Sequence, residues 1–173
     1  IVWLALWPSL ALATDTGTSN NLFVLKKTGE DTFLASRSNL VTRDGISDLF
    51  FGYVDLTYGK RINEHWSIDA GYRHARLDLP DGWRDEYRPL VNLAYREQDE
   101  KWKIRNRNRL EFRDFDDESD DRIRYRNETV VIVRTTFSRF EFVPYFSQEL
   151  FYEFTDDKFN QNWITIGAEK TLP

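Results

Sequence analysis

Hydrophobic and polar residues alternate along nearly the whole chain from Thr32 onward. A period of two is typical of β-strands whose two faces meet different surroundings, and no helical periodicity competes with it. Between Val54 and Tyr58, for example, every second residue is apolar and the residues between them are Asp55 and Thr57. The pattern predicts eight strands, the clearest of which span residues 50–62, 66–76, 87–96, 102–113, 123–134, 140–154 and 163–170.

These strands are long, and their connections differ in length. Strands of soluble proteins most often have about 5–6 residues, whereas a membrane-spanning strand needs about 9–11. Short turns at one end of the strands and longer loops at the other are typical of outer-membrane barrels. The sequence predicts short connections at residues 63–65, 98–101 and 137–139, and longer, mostly acidic ones at 80–86, 115–121 and 155–161.

Large aromatic residues open three of the predicted strands directly after a short turn. They are Trp66, Trp102 and Phe140. Aromatic side chains at one common level form the girdle that a membrane interface favours. The sequence therefore predicts an all-β fold, an antiparallel transmembrane β-barrel with about 8–12 strands in the intact protein.

The start of the chain differs from the rest. Residues 1–13 are apolar and uncharged and end in Ala11-Leu12-Ala13, and a polar run follows at once. Small residues at the last and third-last positions suit a signal peptidase. We interpret this segment as part of a signal peptide that is cleaved after Ala13. The alternative is a buried first strand or helix.

Two further regions complete the predicted organisation. Residues 14–31 are a lead-in, in which Asn21 to Lys27 is either a strand or a periplasmic segment, and residues 32–173 are the barrel domain. The end, Lys170-Thr171-Leu172-Pro173, lacks the aromatic residue on which bacterial barrels usually finish. We therefore expect further C-terminal strands in the intact protein.

Composition excludes several classes of protein. A mean hydropathy of −0.62 excludes a helical membrane bundle, and 27 aromatic residues argue against disorder. The net charge of −5 argues against a nucleic-acid partner. Without cysteine there is no disulfide, thiolate zinc site or cysteine nucleophile. Two separated histidines make no metal motif, and we predict no metal and no cofactor.

Arginine dominates one face of the central strands and supplies 17 of the 24 basic residues. Charges buried in a barrel lumen must be paired or hydrated, and arginine pairs well with carboxylates because its planar fork binds them bidentately. This face is interpreted as a structural network of ion pairs or as the wall of a narrow, anion-preferring channel. Its predicted members are Arg105, Arg107, Arg109, Glu111, Arg113, Arg124, Arg126, Glu128 and Glu149.

Catalysis has little support in the sequence. His65 lies in a turn and His74 is in phase with the apolar face, whereas Ser67 and Ser147 belong to the opposite face. A serine triad needs these groups to converge. We predict no catalytic residue and no enzyme activity.

Five segments of the second half are informative as a set: Arg107-Asn108-Arg109-Leu110-Glu111-Phe112-Arg113, Arg124-Tyr125-Arg126, Gln148-Glu149-Leu150-Phe151, Phe159-Asn160-Gln161-Asn162 and Gly167. These segments resemble an uncharacterised bacterial family of outer-membrane proteins, the domain of unknown function 2490. The resemblance covers most of residues 32–170, although the family often carries arginine where this chain has Trp163. It implies a barrel of about this size with additional C-terminal strands and no established activity.

The sequence thus predicts a protein of the bacterial outer membrane that is structural or a narrow anion-preferring channel. Its expected partners are outer-membrane lipids and lipopolysaccharide, the barrel-assembly machinery and small anionic solutes. Two alternatives stay open. One is a secreted, soluble, lipocalin-like barrel that binds a ligand, and the other is a lipid-modifying enzyme of the outer membrane.

Overall fold

The structure is a computed structural model that describes residues 2–7, 17–44, 48–116, 121–134 and 142–169. Within these ranges the regular elements are ten β-strands. None of the described residues forms a helix of the length and apolarity needed to cross a membrane. The strands are β1 (Val2–Trp7), β2 (Thr18–Lys27), β3 (Thr32–Arg43), β4 (Asp48–Arg61), β5 (Trp66–Leu79), β6 (Gly82–Gln98), β7 (Trp102–Phe115), β8 (Arg122–Val133), β9 (Val143–Glu153) and β10 (Lys158–Glu169).

The strands pair in chain order, from β1 to β10, in one sheet. The registers of the β1–β2, β2–β3, β3–β4, β8–β9 and β9–β10 pairs are all antiparallel. In β3 and β4, for instance, Arg37 lies opposite Asp55 and Ser38 lies opposite Val54. The predicted all-β, antiparallel fold is confirmed, and the eight strands from Thr32 onward are β3 to β10.

Two of the predicted loops are wrong in part. Residues 82–86 of the predicted loop 80–86 belong to β6, and residues 158–161 of the predicted loop 155–161 belong to β10. Alternation is hidden at residues 84–86 because the consecutive polar residues Arg84, Asp85 and Glu86 occupy both faces. In β10 a register shift between Phe159 and Gln161 interrupts it. Only Pro80 and Asp81 separate β5 from β6, and Gly82 continues this tight turn with φ of 127°. The connection between β5 and β6 is therefore shorter than predicted. The predicted short connection at 137–139 and residues 117–120 of the predicted longer connection lie outside the described residues.

The first two strands extend the sheet beyond the predicted domain. Residues 21–27, for which the sequence predicts either a strand or a periplasmic segment, are the second part of β2. Residues 2–7 pair with β2 as β1. The interpretation of residues 1–13 as a signal peptide concerns the chain before processing and stays a prediction.

Contacts divide the chain into two compact units. The first comprises Ile1–Lys60, Asp69–Leu90 and Phe112–Arg122. The second comprises Arg61–Ile68, Val91–Glu111 and Ile123–Pro173.

The two faces of the strands differ sharply in chemistry and burial. One face, here the apolar face, exposes its large hydrophobic residues: Val54 is 56% exposed and Leu56 is 53% exposed, whereas Asp55 between them is buried. The other, here the charged face, is buried and includes Glu111 and Glu153, which are both 0% exposed. This arrangement inverts the usual order of soluble proteins, in which charged residues are almost never fully buried.

A small set of hydrophobic residues is buried as well, and it shares the charged face. Packing against these side chains gives the buried charges an apolar surrounding, in which an unpaired charge is costly. The set consists of Ala35, Ala75, Leu90, Val130, Ile132, Tyr145 and Phe151.

Candidate functional site

The charged face of β7, β8 and β9 brings arginines and carboxylates together. Because side chains alternate along a strand, residues at every second position share this face. In the β8–β9 pair, Arg124 lies opposite Glu153 and Arg126 lies opposite Phe151. Glu128 lies opposite Glu149, so two like charges face each other across the strands.

Glu111 of β7 is the centre of the network in the second unit. Arg124 donates to its Oε2 through Nε at 2.9 Å and NH2 at 2.6 Å. Arg126 donates to its Oε1 through NH1 at 3.0 Å, and NH1 of Arg109 lies 3.5 Å from the same oxygen. Three guanidinium groups thus surround a carboxylate that has no exposed surface. Such charge-assisted hydrogen bonds are the strong ones in proteins.

Two further carboxylates complete this network. Arg126 also donates to Oε1 of Glu149, through Nε at 3.0 Å and NH2 at 2.7 Å. Arg107 lies between the two facing carboxylates, with NH2 2.8 Å from Glu128 and 3.4 Å from Glu149. The positive charge between them offsets the repulsion of Glu128 and Glu149.

These residues form what we call the Glu111 cluster. It contains one more positive than negative charge, and Arg109 also donates through Nε to Oδ1 of Asn92 at 2.7 Å. An ion pair taken out of water is retained only when its geometry is good and its remaining groups are hydrogen-bonded. The cluster consists of Arg107, Arg109, Glu111, Arg124, Arg126, Glu128 and Glu149.

Phe151 is an aromatic member of this face that the sequence reasoning missed. It is 1% exposed, and the guanidinium carbons of Arg126 and Arg124 lie 4.6 Å and 5.4 Å from its ring centre. Stacking on an aromatic face orients a guanidinium and stabilises its charge. Phe151 stands between Leu150 and Tyr152 in an unbroken apolar run. Without alternating polar residues, the sequence does not show on which face of the strand Phe151 lies.

Arg113 was predicted as part of the same network, and it lies instead in a cluster of the first unit. Glu86 accepts bidentate pairs from two arginines there. Arg88 donates to it through Nε at 2.5 Å and NH2 at 2.6 Å, and Arg113 through Nε at 2.5 Å and NH2 at 3.1 Å. Glu86 and Arg88 are buried. We call Glu86, Arg88 and Arg113 the Glu86 cluster. Glu86 was missed because its segment was expected to be a loop.

A second ion pair of the first unit joins β4 to β5. Arg73 donates to Asp55 through Nε and, at 2.7 Å, through NH2. Both side chains are buried, and the guanidinium carbon lies 3.7 Å from the ring centre of Tyr53. Bidentate pairing is therefore a repeated feature of the charged face.

The remaining predicted site residues lie at the ends of the strands. Arg105, near the start of β7, is exposed. Trp66 and Trp102 are the first residues of β5 and β7, and both are exposed. The ring of Trp66 lies 5.0 Å from that of Tyr95. Phe140 lies outside the described residues.

The histidines do not meet a serine nucleophile in the part of the chain that the structure describes. His74 is exposed on β5, with Nε2 2.8 Å from Oδ1 of Asp85 and its ring stacked on that of Tyr87 at 5.2 Å. His65 is also exposed, and its Nδ1 lies 3.2 Å from the carbonyl oxygen of Arg96. Among the described residues, no group of three histidine, aspartate or glutamate side chains is placed to hold a metal ion.

The apolar face of β7 and β8 carries a cluster of amides, formed by Asn106, Asn108 and Asn127. Asn108 donates to Asn106 at 2.8 Å, and Asn127 donates to Asn108 at 2.9 Å. Asn106 donates to Thr129 at 2.8 Å, and the hydroxyl of Tyr125 donates to Asn108 at 2.5 Å. These side chains therefore satisfy much of one another's hydrogen-bonding capacity.

Comparison with known proteins gives one match. Residues 16–172 match the model of a family described as a protein of unknown function, DUF2490. No curated protein and no solved structure matches the chain.

Proposed function

We propose that this chain, which belongs to the DUF2490 family of proteins of unknown function, is a β-sheet protein of the bacterial outer membrane. The exposed apolar face is the observation that carries the proposal. Val54, Leu56 and Tyr58 of β4 are each more than half exposed. Contiguous apolar surface of this kind marks contact with a membrane or a partner.

The lengths of the strands support the same environment. β3 to β10 contain 11 to 17 residues each. A tilted strand needs about 9–11 residues to cross the hydrocarbon core of a bilayer. Each strand from β3 onward is therefore long enough to cross once.

In a bilayer the strands need a closed barrel, because no water is present to bond with the backbone at an open edge. We infer that the apolar face contacts lipid and that the charged face lines the lumen. A soluble lipocalin-like barrel would have the opposite arrangement, with its apolar face inside. The exposure of that face therefore favours the membrane over this alternative.

The ion pairs suggest a mainly structural lumen. In the Glu111 cluster every carboxylate has an arginine donor within 3.0 Å. Such pairing fixes the side chains in place and leaves little charge to attract ions. The geometry of the ion pairs therefore favours a structural role for the charged face over a role in ion transport.

The partly exposed Arg107 on the charged face favours a second candidate, a narrow channel that prefers anions. Its test is the zero-current potential of the purified protein in planar bilayers under a salt gradient. A channel predicts anion preference, weakened by Arg107→Gln. The absence of conductance from the wild-type protein would exclude this candidate and leave the structural one standing.

A spin-label scan of β4 tests the membrane proposal. Single cysteines at Val54, Leu56 and Tyr58, labelled with a nitroxide in lipid vesicles, should be accessible to oxygen and shielded from a polar nickel reagent. The matched controls are labels at Lys60 and Ile62, at the end of the strand and just beyond it, where the polar reagent should reach them. Equal access of the polar reagent at all five positions would refute insertion.

A further inference from the structure

A band of uncharged polar side chains crosses the apolar face of the second unit. It begins with the amide cluster on β7 and β8, where Asn106 donates to Thr129 at 2.8 Å. Thr129 lies opposite Gln148 of β9, and the amide of Gln148 donates to Asn162 of β10 at 3.2 Å. The band therefore spans four adjacent strands. We call it the amide band, and its members are Asn106, Asn108, Asn127, Thr129, Gln148 and Asn162.

The amide band lies near the middle of each of these strands. Asn108 and Asn127, for example, stand about halfway along β7 and β8. On the neighbouring strand β6 the middle of the same face carries Val91 and Leu93, which are both exposed. If this face contacts lipid, the middle of a strand lies deepest in the hydrocarbon, where polar side chains are most costly. Polar residues at this depth therefore need a partner other than lipid.

Two amides of the band can form more hydrogen bonds than the sheet supplies. An amide side chain has two N–H donors and an oxygen with two lone pairs. Among the described residues, none bonds with Oε1 of Gln148 or with Nδ2 of Asn162. Asn162 is exposed and Gln148 is partly exposed, so both groups can be reached from outside the sheet. Hydrocarbon offers them no hydrogen bond, which makes contact with lipid unfavourable for both.

We propose that the amide band is the interface through which two copies of this chain associate in the membrane. This inference rests on the proposed membrane location. A second copy suits the band because each amide is both a donor and an acceptor. Two copies related by a twofold axis present the same groups to each other and can satisfy them mutually. Hydrogen bonds between such side chains hold membrane-spanning segments together.

The surroundings of the amide band favour a protein partner over a lipid headgroup or water. Headgroups lie at the ends of membrane-spanning strands, whereas the band lies halfway along them. Water is absent from this depth of a bilayer. The band is also flanked by apolar residues, since Leu150 lies opposite both Asn127 and Asn162, and Ile164 lies opposite Gln148. These side chains can pack between the two copies while the amides bond.

Energy transfer between labelled copies in lipid vesicles tests the interface. The chain has no cysteine, so donor and acceptor dyes are attached through Glu64→Cys, at a side chain that is 84% exposed. Transfer between copies that are otherwise wild-type should fall as added lipid dilutes them. Asn162→Leu should lower the association constant about tenfold, because a twofold contact loses each hydrogen bond twice. Asn20→Leu is the matched control and should stay within about twofold. Asn20 is exposed on the apolar face of β2 in the first unit, opposite Leu40.

Chemical cross-linking provides a second test that does not depend on the loss of an interaction. A flexible bismaleimide should link two copies of Asn162→Cys in vesicles and should link Val54→Cys, exposed on β4 in the first unit, far less. The absence of transfer between wild-type copies, equal effects of Asn162→Leu and Asn20→Leu, or no excess of cross-linking at Asn162 over Val54 would overturn the interface. Gel mobility before and after heating shows that each variant folds.

Flotation of the vesicles separates failure of the interface from failure of the membrane proposal. Protein that floats with the vesicles but shows no energy transfer refutes the interface and leaves the membrane proposal standing. Protein that does not float with the vesicles refutes the membrane proposal and the interface with it.

Discussion

Glu111 illustrates what a buried charge requires in this protein. Its carboxylate is 0% exposed, and Arg109, Arg124 and Arg126 surround it. Removing one member of a buried ion pair leaves the other charges without compensation, and this loss is larger than the net value of the pair. Stability at this site depends on the balance of charge and not on burial alone.

Glu111→Gln keeps the shape of the side chain and removes its charge. We expect the variant to lower the free energy of unfolding by about 3–5 kcal/mol, because three arginines lose their shared partner. Urea titration followed by tryptophan fluorescence measures this change. Glu64→Gln is the control, since its side chain is 84% exposed and its loss should have no measurable effect. Equal stability of Glu111→Gln and the wild-type protein would contradict a structural role for the cluster.

Alternation in the sequence predicts which face a residue occupies but not which partner it meets. Arg107, Arg124 and Glu149 were placed on one face from the sequence alone. The partners depend on the register between strands, which a period of two does not specify. For this reason Arg113, which was predicted to belong with the residues of the Glu111 cluster, lies in the Glu86 cluster and pairs with Glu86.

Two turns at one end of the sheet share a sequence pattern and a mechanism. Asn63 precedes Trp66 by three residues, and Asp99 precedes Trp102 by the same distance. Oδ1 of Asn63 accepts from the backbone N–H groups of His65 at 2.9 Å and Trp66 at 2.8 Å. Oδ1 of Asp99 accepts at 2.7 Å from those of Lys101 and Trp102. Each of these side chains stabilises the turn between two strands. It thereby fixes the position at which the second strand begins with its tryptophan.

The Asp99 turn should depend on pH. Hydrogen bonds from the backbone of Trp102 and Lys101 hold the pKa of Asp99 below its ordinary value of 3.8. A depressed pKa in the folded state stabilises the protein above the unfolded pKa, and this contribution is lost as the pH falls through the folded value. Asp99→Asn keeps the acceptor oxygen and does not titrate.

The difference in unfolding midpoint between the wild-type protein and Asp99→Asn should therefore be largest at pH 7. It should shrink as the pH falls below 3.8. Urea titrations at pH 7, 4 and 3 measure this difference. A difference that stays constant across this range would show that the Asp99 carboxylate does not stabilise the turn.

The amide cluster on the apolar face should stabilise β7 and β8 despite its polarity. Asn127→Leu makes this face more apolar but removes partners of Asn106 and Asn108. We expect it to lower the free energy of unfolding in lipid vesicles by about 1–2 kcal/mol. Ser38→Leu on β3 changes polarity on the same face outside the cluster and should stay within about 0.5 kcal/mol of the wild-type protein. Stabilisation by Asn127→Leu would mean that the amides do not depend on one another.

Strand number was easier to predict than strand ends. Eight strands from Thr32 follow from alternation that persists over many residues. The sequence did not predict the strand ends where polar residues occupy both faces, as at residues 84–86, or where a register shift interrupts the period, as near Phe159. In both places the backbone continues in the sheet because its hydrogen bonds are satisfied there.

At the scale of the whole molecule, the sheet exposes what a soluble protein buries. Val54 and Leu56 of β4 are exposed, whereas Arg109 and Glu111 of β7 are not. In water this arrangement is unfavourable, because exposed apolar area costs about 25 cal/mol per Å². In a bilayer the same surface is favourable, and the paired charges are separated from lipid by the sheet. A membrane environment therefore explains both the exposure of the apolar face and the burial of the charged face.

The depth dependence of arginine substitutions tests this proposal most directly. Val54 lies in the middle of β4 and Ile62 lies just beyond its end, and both side chains are more than half exposed. Val54→Arg and Ile62→Arg, refolded into lipid vesicles, are compared by urea titration. We predict that Val54→Arg lowers the free energy of unfolding by about 2–4 kcal/mol and Ile62→Arg by about 0–1 kcal/mol, because the cost of arginine is highest at the midplane of the bilayer. Equal and small effects at both positions would contradict a lipid-facing surface.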